Sequence, residues 1–207
     1  PTWTLPQMLW LRNNEPRALK RTRHILFVKD YVRYLLTGEM ACDSVEAQGT
    51  LFWDMRAGRW SDALCDLAGI PLVALPLIGR PTDRAGVITA RAAADTGLPV
   101  GTPVIMGASD SAVQDYAAGA VAPGQCVLKL ATAGNVNVMT AKARPHRETL
   151  TYSHVVPGLW YTVTATNSAA VCQRWYRDTF CAPDTSYDAI GGEAAKAPPG
   201  STGVSAM

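Results

Sequence analysis

The chain has 207 residues, 48% of them apolar, with a formal net charge of +2. That length holds one large domain or two small ones, and a near-neutral balance without a basic run argues against nucleic acid as a partner. No stretch is long and apolar enough to span a bilayer and no signal peptide is visible, which argues against a membrane partner and for a cytoplasmic protein.

Leu5, Met8 and Leu9 recur at helical spacing and predict a first short helix that Asn13, Asn14 and Glu15 end. Pro16 suits the first turn of a second helix, with Ala18, Leu19, Thr22, Ile25 and Leu26 on one face. Asp30 is placed to cap a third helix over 31–37, which Gly38 ends. From Met40 to Arg59 no period is visible, and Asp43, Ser44, Glu46, Gln48 and Thr50 read as a polar loop. Ser61 caps a helix that Gly69 ends, and Pro71 to Arg84 reads as irregular. Val87 and Ile88 suit a short strand, and Thr89 a cap for a helix stopping at Gly97.

The stretch from Pro103 to Gly119 reads as buried strand, tight turn of small residues, acidic residue and helix. Ala112, Val113, Tyr116, Ala117 and Ala120 are the expected core face of that helix. Asp110 fits two roles: a helix N-cap, or a carboxylate at a strand-to-helix mouth where a substrate can approach. Asp115 falls on another face and reads as structural.

Pro123-Gly124 marks a turn and the expected domain boundary, dividing the chain into 1–122 and 123–207. Beyond it the period becomes two, with Cys126, Leu128 and Leu130 alternating with Val127 and Lys129. Ala131-Thr132-Ala133-Gly134 is a tight turn, either an ordinary hairpin or a phosphate cradle. Strands follow around Val136 and Val138, over 151–155 and over 160–166. Ser168 is the expected cap of a helix bearing Cys172, Trp175, Tyr176 and Thr179, and a final helix spans about 186–195. Helices first, then strands and helices, indicate an α/β or α+β architecture with a partly antiparallel sheet.

The five cysteines are odd in number and form no CxxC pair, which favours reduced thiols in a cytosol. The three histidines lack metal-ligand spacing, and no metal-ligating residues are assigned. The sequence has no GxSxG elbow, no Walker A motif and no GxGxxG.

Four stretches together resemble the FGGY family of carbohydrate kinases, in its xylulokinase branch. Thr4 to Pro16, TLPQMLWLRNNEP, is similar to the family's first signature, with Gln7 where a lysine is usual. Arg23 to Gly38, RHILFVKDYVRYLLTG, follows its K-D-Y-L-x-x-x-L-T-G run. Gly107 to Ala112 is similar to the segment with the catalytic aspartate, and Lys129 to Asn135 to the phosphate turn, usually Gly-Thr-Ser-Gly. His154 to Trp160 and Ala197 to Ser201 also follow the family.

The resemblance implies part of an actin-like, ribonuclease H-like ATPase fold: the back of a sugar-binding domain (1–122) and the front of an ATP-binding domain (123–207). The family's opening hairpin and adenine-holding segment are not in the chain, in keeping with ends that look like cuts. The implied reaction moves the γ-phosphate of ATP, with Mg2+, to a hydroxyl of D-xylulose or another ketopentose or polyol. Asp110 is the implied general base and sugar contact, and Ser111 stands where a second sugar contact is usual. Ala131, Thr132, Ala133 and Gly134 are the implied nucleotide-phosphate turn. The partner is a small sugar, and a homodimer is compatible. Gln7, Ser111 and the altered turn keep a non-catalytic sugar-binding relative in view as the alternative, and the isolated chain is expected to be an inactive fragment.

Overall fold

The computed structural model describes residues 3–203. It divides into two compact units: Pro1–Cys126 with Val138–Thr162, and Val127–Asn137 with Val163–Met207.

The first unit opens with helices α1 (Thr4–Asn14), α2 (Pro16–Arg21) and α3 (Val28–Thr37). Pro16 starts α2 as expected, but the helix stops at Arg21, and Ile25 and Leu26 lie beyond it. Thr22 supplies a reason: its hydroxyl donates to the Ala18 carbonyl at 3.0 Å while its backbone turns extended. Ile25 still reaches the core through an N–H bond to the Ala74 carbonyl. Phe27, not Asp30, is the N-cap of α3, while Gly38 ends that helix in a left-handed conformation as expected.

The expected loop from 40 to 59 is structured. It holds strand β1 (Ala41–Asp43), helix α4 (Ser44–Gly49) and the two-stranded hairpin of β2 (Trp53–Asp54) and β3 (Arg59–Trp60). Asp43 makes this local fold, its Oδ1 accepting the Val45 and Glu46 N–H groups at 2.9 Å. A six-residue helix is too short to show a period, so its cap was the legible signal. Helix α5 (Asp62–Ala68) has the expected Ser61 cap and Gly69 terminus. The stretch read as irregular supplies a turn of 3-10 helix (Leu72–Ala74) and β4 (Leu77–Gly79), which pairs in parallel with β1. Phe52, Cys65, Ala68, Ile70, Ala74 and Leu75 form the core here, with Leu5, Met8, Leu19 and Ile25 packed on it.

Strand β5 (Arg84–Val87) pairs antiparallel with β6 (Pro103–Ile105) across helix α6 (Ala90–Thr96), which Thr89 caps. β6 is not the buried strand expected: Ile105 is 59% exposed. Helix α7 (Asp110–Ala117) also turns a different face inward. Ala112 and Asp115 are buried, whereas Val113 and Tyr116 are exposed. Behind α7 lie Tyr161 and His154, whose rings meet edge to face at 6.2 Å, and Tyr161 shares a hydrogen bond with Ser109 at the head of α7.

Strands β7 (Cys126–Leu130), β8 (Gly134–Thr140), β9 (Leu150–Ser153) and β10 (Trp160–Thr166) form one sheet in the order β7-β8-β10-β9. The alternation expected in β7 is present, with Leu128 and Leu130 outward. The second unit adds helices α8 (Ala170–Phe180) and α9 (Tyr187–Ala194). Ala169, not Ser168, is the N-cap of α8 and makes no side-chain cap bond. Backbone replaces that cap: the Ala169 and Ala170 N–H groups donate to the Thr132 and Ala131 carbonyls.

Burial holds the His154 imidazole below the usual histidine range, against the opposing pull of buried Asp115. Protons therefore bind the unfolded chain more readily, and this residue's contribution to stability is lost as pH falls from the ordinary histidine value through the depressed one. Urea unfolding at pH 7 and pH 5 should show a smaller acid loss in His154→Gln than in the parent; an equal loss refutes the assignment.

Candidate functional site

Asp110 is the first residue of α7, not its cap. Ser109 takes the N-cap place without a side-chain bond, and Asp110 Oδ1 accepts the Ser111 N–H at 2.6 Å. Gly107, at φ +75°, makes the sharp turn between β6 and α7. The turn is pinned by its backbone: the Met106 N–H donates to the Asp83 carbonyl and the Gly107 N–H to the Pro81 carbonyl, each at 2.9 Å.

A side-chain chain fixes the same turn from the other side. Lys29 Nζ lies 2.6 Å from both Asp30 Oδ1 and Asp43 Oδ2. Arg33 completes the group: it pairs with Asp30 at 3.0 Å and donates to the carbonyls of Met106 and Ala41. Both carboxylates are fully buried. Asp43, read from the sequence as part of a polar loop, instead holds Lys29 and caps α4. Asp30 is neither cap nor ligand; it is the buried counter-ion of Lys29 and Arg33. Burial alone would lower the Lys29 pKa, but Asp43 and Asp30 outweigh it and the net shift is upward.

Asp30, Cys42 and Asp43 also have the spacing of a metal site, the one such group among the described residues. Lys29 and Arg33 occupy its carboxylates, and burial with the neighbouring Asp30 pushes the Cys42 thiol well up. The group is an ion-pair core, and a divalent cation does not fit it.

Exposed Asp110 opens on a cavity of about 820 Å3 within the first unit. Its polar lining comes from Thr4, Gln7, Lys29, Glu46 and Asp110, and Phe27, Val28, Ala108 and Val113 are among its apolar walls. Gln7 and Asp110, picked out in the sequence, thus meet at one cavity. Glu46 and Lys29 were not picked out. The spacing Asp43-x-x-Glu46 carried a signal, since a carboxylate three residues beyond a capping Asp lies in a helix's first turn. Burial raises the Glu46 pKa and Lys29 opposes this, while Asp43, Asp30 and Asp110 add to the rise. A smaller apolar hollow of about 460 Å3 beside Trp53 and Trp60 carries no acidic lining among the described residues.

Thr132 belongs to the second unit, with Ala131 and Ala133 in the exposed turn between β7 and β8. Ala131 N–H donates to the Ala133 carbonyl at 3.0 Å. A side chain at Gly134 would come within 2.9 Å of the Ala169 Cβ, so the close approach of turn and helix requires glycine there. Thr132 lines a cavity of about 260 Å3 with Gln173, Arg174 and Tyr187. Ser111, half-buried, lies one position into α7 and is not among the residues that line the Asp110 cavity.

Residues 1–115 match the model of the FGGY family of carbohydrate kinases, N-terminal domain. The xylulose kinase of Lactococcus lactis subsp. lactis is 30% identical over 203 residues, which cover 98% of this chain and 40% of that protein. An autoinducer-2 kinase of Escherichia coli K12 is 29% identical over 211 residues, covering 97% of this chain and 40% of that protein. The chain thus spans 40% of the length of these curated relatives. The crystal structure of xylulose kinase from Rhodospirillum rubrum superposes with a TM-score of 0.89 at 31% identity, covering 96% of this chain and 41% of that one. A gluconate kinase structure from Lactobacillus acidophilus, at a TM-score of 0.90 and 23% identity over 97% of this chain and 41% of that one, shares the fold. The chain carries part of the actin-like, ribonuclease H-like ATPase fold, as its sequence led one to expect.

Asp43→Ala removes a cap and a counter-ion together. With Lys29 30% exposed, the expected cost is about 2–3 kcal/mol, below that of breaking a fully buried pair. Asp62→Ala, at an exposed pair with Arg59, should cost under about 1 kcal/mol. Urea unfolding of both variants measures the contrast, and equal costs refute the central place given to Asp43.

Proposed function

Because this chain belongs to the FGGY family of carbohydrate kinases, we propose that it is the portion of an ATP-dependent sugar kinase that carries the general base, Asp110. The acceptor is D-xylulose, or another ketopentose or polyol, and the protein works in the cytoplasm. The observation that carries this reading is the position of Asp110, a carboxylate at the first residue of a helix on the wall of a polar-lined cavity. A helix N-terminus favours the ionised carboxylate, which can then take the proton of a sugar hydroxyl as it attacks phosphorus. The domain assignment is 1–122 to the sugar-binding domain and 123–207 to the ATP-binding domain, and the family match over 1–115 supports the first part.

The turn Ala131-Thr132-Ala133-Gly134 suits a nucleotide phosphate. Its small side chains leave the backbone open, Thr132 offers a hydroxyl, and Arg174 brings positive charge to the same small cavity. Mg2+ would come with the nucleotide and neutralise phosphate charge; no described cluster holds it independently. Ala131 and Ala133, in place of the usual glycine and serine, favour a second reading, a sugar-binding relative without catalysis. ATP binding by the complete protein separates the two.

In the complete protein, Asp110→Asn should lower turnover by ~10²–10⁴-fold and leave sugar affinity within a few-fold of the parent. Steady-state kinetics beside calorimetric sugar binding measures both. Unchanged turnover removes Asp110 from the role of base.

A further inference from the structure

Charge along the Asp110 cavity is unbalanced in a way that bears on the substrate. Two carboxylates, Asp110 and Glu46, line it. Among the described residues Lys29 is its one cationic lining residue, and that ammonium is already held at 2.6 Å by two buried carboxylates, Asp30 and Asp43. An ammonium shared between two carboxylates has little left to offer a third. The other positive feature is the start of α7, where Asp110 Oδ1 takes the Ser111 N–H. Gln7 and Thr4, the remaining polar groups, are neutral and can both donate and accept hydrogen bonds.

We infer that Glu46 is a specificity-determining residue which, with Asp110, restricts this cavity to neutral polyhydroxy compounds and rejects sugar acids. This deepens the kinase reading, since it names the substrate class at the same site. Hydroxyls can donate to the carboxylates of Glu46 and Asp110 and to the amide oxygen of Gln7. A substrate carboxylate would meet two like charges with no free cation among the described lining residues to offset them, and a low-dielectric wall strengthens that repulsion. The buried cap geometry fixes Glu46 where this matters: its own N–H is held by Asp43, at the first turn of α4.

The test uses the complete protein, titrated calorimetrically with D-xylulose, xylitol and D-xylonate, which share a five-carbon chain and differ in charge. The parent should bind at least one neutral compound about tenfold or more tighter than xylonate. Glu46→Gln, nearly isosteric, should narrow that preference by about fivefold, and Glu46→Lys should narrow it further or reverse it. Thermal unfolding establishes that both variants fold. Xylonate binding as tight as the neutral compounds in the parent, an unchanged preference in both variants, or no binding of either neutral compound overturns the inference. Assay of ATP-dependent phosphorylated product in the same samples keeps the two readings apart: selective binding without product defeats the kinase reading and leaves Glu46 in place, whereas equal phosphorylation of xylonate defeats the role of Glu46.

Discussion

One ammonium group, shared by two fully buried carboxylates, governs much of the first unit. Lys29 stands between Asp30 and Asp43, and each carboxylate has a further attachment. Asp43 caps α4, Asp30 holds Arg33, and Arg33 reaches the carbonyl of Met106. Burying two carboxylates is costly unless each is matched and hydrogen-bonded. Here the matching groups come from different elements, so satisfying the charges also fixes α3, β1, α4 and the turn before α7 against one another. The arrangement draws specificity of structure from charges whose net contribution to stability is modest.

The same ion core shapes the chemistry available at the cavity. By binding the ammonium of Lys29 on its inner side, Asp30 and Asp43 leave Asp110 and Glu46 to set the sign of the lining. Glu46 holds its proton to a higher pH than an ordinary glutamate because it is buried, a shift that Lys29 opposes and Asp43, Asp30 and Asp110 strengthen. Asp110 shares the lining with neutral Gln7 and acidic Glu46. The second unit presents a different surface: an exposed turn of small residues, with Arg174 and Thr132 at one small cavity.

Much of this was legible in the sequence wherever a local rule decided the outcome. Ser61 and Thr89 cap the helices that follow them, and Gly38, Gly69 and Gly97 end theirs in the left-handed region. The strand-turn-helix around Gly107 and the position of Asp110 followed from small residues and a period change. What failed depended on partners distant in sequence. Asp30 resembles a cap by local spacing, but Lys29 and Arg33 claim it. Region 40–59 has no period because its elements are two to six residues long and are held by Asp43, by strand pairing and by the core at Phe52. The buried face of α7 was legible at Ala112 and Ala120 but not at Asp115, an acid turned inward, whose electrostatic neighbour His154 is 39 residues away in the chain. Ser168 lost its cap because backbone carbonyls of the turn at 131–132 supply the bonds instead.

The turn at Met106–Gly107 has its main-chain groups engaged on both sides: two N–H groups by Pro81 and Asp83, and one carbonyl by Arg33. A segment tied in this way has already given up its conformational freedom when the chain folds. The residue it delivers, Asp110, is on a backbone prepared before any ligand arrives, so orienting that backbone adds little entropy loss to binding. Motion at this wall of the cavity is then left to side-chain rotation at Asp110 and Val113.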